Sequence, residues 1–294
     1  GSIDRTIKQG DLLLTQKKYS EAEVAFTKAL EISKEDPRVY AGLGEVFFSK
    51  KLFDDALVQF KRSIELDPSQ SAFHVKLAKT YFAKGKLKEA EQTYVRVLEV
   101  DSKNDEAYFG LGMIRIKEDA ADKAIESIEK AVSMNPGVYK YHKALSDLFA
   151  EKGDLERARK ETVEAINLKK DDPSLRIALG ELLFKMEREE EGIKEFKASV
   201  ELFPQNFQAQ IRLADWYFQK GLLDESLKSY KAAESIQPQN AEIQMRLGKI
   251  YADTKQTKEA QEAFQKAANL NPDDGDSLLR LGKLLAGEKK FKEA

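Results

Sequence analysis

A thirty-four-residue unit recurs end to end from residue 3, and it constrains the fold more than any other feature of the chain. Aligned on itself without insertion or deletion, the sequence gives repeat starts at Ile3, Pro37, Ser71, Asp105, Tyr139, Pro173, Phe207, Ala241 and Gly275. Eight full repeats (3–274) are followed by twenty residues of a ninth (275–294), and Gly1 and Ser2 read as an expression scar. A fixed period of this length marks stacked supersecondary units, each of which buries its apolar flank only against the next.

The recurring positions describe two helices per repeat. Position seven is Leu from repeat two onward (Leu43 to Leu281) and Gln9 in repeat one. Position eight is always small: Gly10, Gly44, Ala78, Gly112, Ser146, Gly180, Ala214, Gly248, Gly282. Position twenty is small as well, from Ala22 and Ala56 through Gly192 and Ser226 to Ala294, and position twenty-four is usually bulky, as in Phe26, Phe60, Tyr94 and Phe264. Positions four, seven, eight and eleven share one face of a first helix, and positions twenty, twenty-four and twenty-seven one face of a second. Small residues at eight and twenty permit a close approach, and the bulky residue fills the gap beside them. Gly85, Gly153 and Gly221 fall just past the first helix, where a left-handed cap is wanted. Pro68, Pro136, Pro204, Pro238 and Pro272 end the second helix, whereas Pro37 and Pro173 open the next one. Helices of about 14 residues are marginal alone in water, so the pairs must stack.

This pattern, with its Leu-Gly, Ala, Phe, Ala and Pro positions, resembles the tetratricopeptide repeat family over residues 3–294. The resemblance implies an all-α solenoid of antiparallel helix pairs coiled into a right-handed superhelix, with first helices lining a concave groove and second helices forming the convex side. It implies a non-enzymatic protein–protein interaction scaffold that binds a peptide or helical segment of a partner in that groove. The alternative is the recognition region of a larger enzyme whose catalytic part lies outside these residues. Departures from the pattern are Thr6 and Gln9 in repeat one, as suits a cap, and Arg115 and Thr162, which predict looser packing in repeats four and five. Repeats four, six and eight carry Ala121, Glu189 and Thr257 where an apolar residue is usual at position seventeen. The stop in mid-helix at Ala294 predicts that the natural chain continues and that Leu278, Leu281 and Leu285 are under-covered, which leaves self-association through that face open.

On the expected groove face, positions five and twelve are apolar where a bare scaffold is free to use charge. One patch comprises Phe48, Val75, Phe82, Phe109, Met113 and Ile116, beside Gly42 and Gly110, whose missing side chains are expected to leave room. A second comprises Ile177, Phe184, Ile211 and Phe218, and repeat five separates the two with Lys140, Lys143, Asp147 and Glu151. The last three repeats gather Arg212, Arg246, Lys249, Arg280 and Lys283, which suit the carboxylates of an acidic peptide or, as a solvated face, are neutralised by Glu242, Asp253 and Asp276. Some family members clamp a chaperone carboxylate tail with Lys, Asn and Arg; Ile7 and Asp11 stand at the first of those places, so that ligand is not expected.

Enzymatic chemistry finds no foothold. With no Cys there is no disulfide, thiolate metal site or Cys nucleophile. His74 and His142 sit two repeats apart in a packing slot and cannot share a metal. The run 271–276 matches an acidic calcium loop only in composition, Gly42-Leu43-Gly44 and Gly110-Leu111-Gly112 lie inside helices, and Trp216 occupies a core position. No cofactor or metal is expected. A net charge of -2, from 49 basic and 51 acidic residues, gives no footprint for nucleic acid, and RNA binding is the weakest reading. No apolar run is long enough for membrane insertion. The chain is expected to be soluble and cytoplasmic, with periplasm or secretion left open by the trimmed start.

Overall fold

In the computed structural model the described residues, backbone 1–293 and side chains 1–289, form helices and turns with no strand among them. The helices are α1 (Ser2–Thr15), α2 (Tyr19–Ile32), α3 (Pro37–Ser49), α4 (Phe53–Leu66), α5 (Ser71–Ala83) and α6 (Leu87–Val100). Then come α7 (Asp105–Lys117), α8 (Ala121–Met134), α9 (Tyr139–Glu151), α10 (Leu155–Leu168), α11 (Pro173–Lys185) and α12 (Glu189–Leu202). The last are α13 (Phe207–Gln219), α14 (Leu223–Ile236), α15 (Ala241–Asp253), α16 (Thr257–Leu270) and α17 (Gly275–Glu293). Each full repeat therefore supplies one helix ending at position thirteen and a second over positions seventeen to thirty.

The chain divides into two units, Gly1–Leu148 and Phe149–Ala294. In the first, α1 packs on α2, α3 on α4, α5 on α6 and α7 on α8, and successive pairs join through α2 with α3, α4 with α5 and α6 with α7. First helices also touch one another, α1 against α3 and α5 against α7. In the second unit the same order runs from α10 with α11 to α16 with α17. The ninth repeat has no break at positions fourteen to sixteen, and α17 runs unbroken to Glu293. Leu278 and Leu285 are exposed, as expected, while Leu281 packs against the cluster of Met245, Ala260 and Phe264. Ala294, the expected small residue at position twenty, lies outside the described residues.

Small residues and rings decide the helix spacing. Phe26, Phe60, Phe196 and Phe264 are almost fully buried, each worth about 1.5–3 kcal/mol of apolar transfer. Each ring lies against the position-eight glycine of its own repeat: an added Cβ would come 2.6 Å from Phe26 at Gly10 and 2.6 Å from Phe264 at Gly248. The room expected beside Gly42 and Gly110 is not open. Phe26 and Tyr94, the position-twenty-four rings of the preceding repeats, fill it.

The turns carry a motif that glycine marks only in part. Residue fifteen of every full repeat is left-handed: Gly85, Gly153 and Gly221, but also Lys17, Lys51, Asp119, Glu187 and Lys255, with φ of 57–61° in these five. At each, the amide of residue sixteen reaches back to the carbonyl of residue eleven, as in Leu52 to Phe47 at 2.8 Å, closing the helix end with a Schellman pattern. Between repeats, Asp36, Asn104, Asp172, Asn206 and Asn240 cap the next first helix by accepting a backbone N–H. Position four ties down the same turn: Tyr40 and Tyr108 donate to the carbonyls of Lys34 and Ser102, and Gln210 to that of Pro204 at 3.0 Å. Both His do the same work, His74 Nε2 bonding Pro68 O at 3.0 Å and His142 Nε2 bonding Pro136 O at 2.9 Å. Because a carbonyl only accepts, Nε2 carries the proton in each. The two irregular residues are also accommodated: Arg115 pairs with Glu91 and Glu118, and the buried Thr162 hydroxyl donates to Ala158 O at 2.9 Å.

Candidate functional site

The first helices of unit one present three adjoining cavities. The first, of about 650 Å³, lies over α1 and α3 and includes Ile7, Asp11, Ala41, Glu45 and Lys76. The second, of about 250 Å³, shares Glu45 and Lys76 with it and adds Phe48, Val75, Lys79 and Glu106. The third, of about 610 Å³, shares Phe48, Lys79 and Glu106 and adds Phe82, Phe109, Gly110, Met113 and Tyr141. Shared walls make them one trough along α1, α3, α5 and α7, ending at the start of α9.

The third cavity is the most apolar and the best ordered by its own contacts. Phe48 meets Phe53 edge-on at 5.5 Å, and Phe109 lies against Tyr141 at 4.7 Å between centroids. Asp105 Oδ2 accepts from the Tyr141 hydroxyl at 2.7 Å and from Asn135 Nδ2 at 3.1 Å. Burial, then that bond, pushes the Tyr141 phenol well above its usual range. Ion pairs cross from one repeat to the next along the trough, Lys76 with Glu45 and Lys79 with Glu106. Where a position-nine charge is answered from the next first helix, the partner stands at position six for the acidic Glu45 and Glu181 and at position two for the basic Lys79 and Lys249.

Phe48, Phe82, Phe109 and Met113 of the first expected patch line this one cavity. Val75 is buried with Ala78, Tyr94 and Val97, so it supports the wall, and Ile116 is half-buried outside the cavity lining. Position twelve is half-buried from Leu14 to Ala252, whereas position five is buried at Ile7, Ala41, Val75, Ile177 and Met245. In unit one Ile7, Ala41, Val75 and Phe109 at position five nonetheless line the trough. Sequence reasoning missed Tyr141, which sits at a buried position and carries the polar end of the cavity, and Asn135 and Val138 in the turn before it. It placed Lys140 as a separator, but Lys140 lines the cavity. The aromatic residue at position three was the available signal for Tyr141.

In unit two the second patch is divided among different contacts. Ile177 is buried, and Phe184 lies on Phe196 at 5.6 Å, over Gly192, where a Cβ would also come 2.9 Å from the Gly180 carbonyl. Phe218 is half-buried against the core around Ala214, and Ile211 reaches a small cavity of about 80 Å³ with Asp215, Tyr230 and Arg246. Of the basic residues, Arg212 forms a bidentate pair with Glu181, both bonds 2.6 Å. Arg246 lies 3.6 Å from Glu242, and Asp276 serves both Arg280 at 3.0 Å and Lys249 at 4.0 Å. Lys283 is exposed. Trp216 packs edge-on against Tyr217 with Lys220 over its ring.

Among the described residues no cluster of three His, Cys, Asp or Glu could hold a metal, and Asp274 in the acidic turn instead bonds the Asp276 amide and the Ser277 hydroxyl. No described helix is long and apolar enough to cross a membrane.

Comparison with known proteins agrees with this architecture. The family model described as cilia and flagella-associated protein 70 C-terminal domain matches residues 70–278, and a tetratricopeptide repeat model matches residues 7–71. No curated protein matches the sequence. Among solved structures, a chain of the APC/C hetero-tetramer Cut9-Hcn1 aligns with a TM-score of 0.53 at 16% identity, covering 95% of this chain. This chain spans 55% of that one. The C-terminal part of a TPR repeat-containing protein from Cytophaga hutchinsonii aligns with a TM-score of 0.54 at 15% identity, covering 94% of this chain and 99% of that one. With repeats matched from residue 7 and one model spanning 70–278, the chain belongs to the tetratricopeptide repeat family and, within it, to the family of the cilia and flagella-associated protein 70 C-terminal domain.

Proposed function

We propose that this protein is a non-enzymatic scaffold that holds a segment of a partner protein in the trough of unit one, chiefly over repeats two to five. The observation that carries the reading is the cavity of about 610 Å³ among Phe48, Phe82, Phe109, Met113 and Tyr141. Its size falls in the range of ligand sites, and its rings offer area at low entropy cost. The basic residues of repeats seven to nine contribute little to recognition in this reading, because Arg212 and Arg246 are paired with Glu181 and Glu242, and Lys249 and Arg280 share Asp276.

The test is partner capture from the native host by wild-type protein and by Phe82→Ala with Phe109→Ala, each with folding checked by circular dichroism. Loss of a defined partner in the folded double variant supports the reading. Equal recovery of that partner removes this cavity as the binding surface.

A further inference from the structure

Given that repeats two to five hold a partner segment, on which this step rests, the chemistry of the anchor follows from how charge is distributed around the cavity. Lys79 and Glu106 neutralise each other across its mouth. Asp105 is held by two neutral donors, Tyr141 and Asn135, at the first residue of α7, where the helix dipole favours a carboxylate. A ligand carboxylate meeting Lys79 must displace Glu106, and a ligand cation meeting Glu106 must displace Lys79. Either exchange strands one charge of the protein, so neither gains much.

Lys140 differs from these. It lines the same cavity, its side chain is exposed, and no Asp or Glu lies within four residues on either side of it. Among the described residues no carboxylate pairs with it. It is a cation that a ligand can meet without displacing anything.

We infer that the groove takes a segment with two large uncharged apolar side chains, seated among Phe48, Phe82 and Phe109, and one carboxylate beside them directed at Lys140. The rings supply affinity through burial, and the Lys140 contact fixes the direction in which the segment lies. Runs of acidic or of basic residues are selected against.

A random-peptide phage library panned on the full chain tests this. Wild-type protein is expected to enrich sequences with two residues from Phe, Trp, Leu and Met and a single Asp or Glu at constant spacing. Panning on Lys140→Ala is expected to keep the apolar pair and lose the acidic preference. An enriched peptide, synthesised with a fluorophore, should bind Lys140→Ala about three- to tenfold more weakly by anisotropy, with that gap closing near about 1 M salt. Enriched sequences without the acid, with several acids, or with an acid preference that survives Lys140→Ala overturn the inference and leave the groove reading standing. Enrichment that survives Phe82→Ala with Phe109→Ala overturns the groove reading itself, and failure to enrich any peptide counts against both.

Discussion

Gly110 separates two accounts of the groove, and Gly110→Ala decides between them. If the missing side chain leaves room for a ligand, alanine stabilises the free protein by about 1 kcal/mol through helix propensity alone. The structure places the Tyr94 ring there instead: an added Cβ would lie 2.6 Å from Tyr94 Cε1 and nearer still to Cζ. Tyr94 is 2% exposed and packed with Val75, Ala78, Val97 and Ile114, so an added methyl must push the ring out of that packing toward the cavity it lines with Gly110. Overpacking of this kind costs about 1–3 kcal/mol, which leaves a net loss of about 1 kcal/mol after the propensity gain. Gly282→Ala is the control, because nothing lies within 4 Å of its added Cβ. The two variants should differ by about 2 kcal/mol, one loosening its repeat and one tightening it. Because repeat arrays need not unfold in a single step, the readout is native-state hydrogen exchange, of the α6 and α7 amides for Gly110→Ala and of the α16 and α17 amides for Gly282→Ala. Exchange about fivefold faster in Gly110→Ala is expected, and adding Tyr94→Leu should remove most of that increment. Slower exchange in Gly110→Ala, matching the Gly282→Ala direction, would refute the argument.

Replacing the left-handed Lys51, Asp119 or Glu187 by Gly should each raise stability by up to about 1 kcal/mol in chemical denaturation, because L-residues pay about 1–2 kcal/mol there and Gly gives part of that back in unfolded-chain entropy; Gly85→Ala should lose a similar amount. Tyr94, Tyr141 and Tyr230 all have phenols pushed upward, first by burial and, for the latter two, by bonds to Asp105 and Asp215. The folded form therefore holds these protons more tightly, so their contribution is complete below the unfolded tyrosine value of about 10 and is lost as pH rises beyond it. A spectrophotometric titration should show these three ionising only as the helices melt; ionisation near 10 with circular dichroism unchanged would contradict the packing.

Much of the fold was legible because packing repeats itself. Leu43, Gly44, Ala56 and Phe60 recur in role, and the structure puts each on the shared face that the spacing predicts. The left-handed turn was legible only at Gly85, Gly153 and Gly221, since Lys17 or Glu187 carries no trace of its backbone in its identity. The groove was half legible. In unit one position five lines it at Ile7, Ala41, Val75 and Phe109 but position twelve only at Phe48 and Phe82, and which of them reaches a cavity depends on the angle between repeats, which no pattern within one repeat encodes. For the same reason Glu181 was not seen as the partner of Arg212. The offset of thirty-one residues becomes a contact only once the helices are stacked.

The ion pairs along the trough also bear on how such a chain can change length. Glu45 is answered by Lys76, and Glu106 by Lys79. Excising residues 71–104 would keep the period intact and leave every packing position filled. It would also set Glu45 beside Glu106, with Gly110 where the next cation should stand. Charge thus constrains the order of otherwise interchangeable modules at this junction, where an exchange that preserves the sign at positions two, six and nine keeps the pairs.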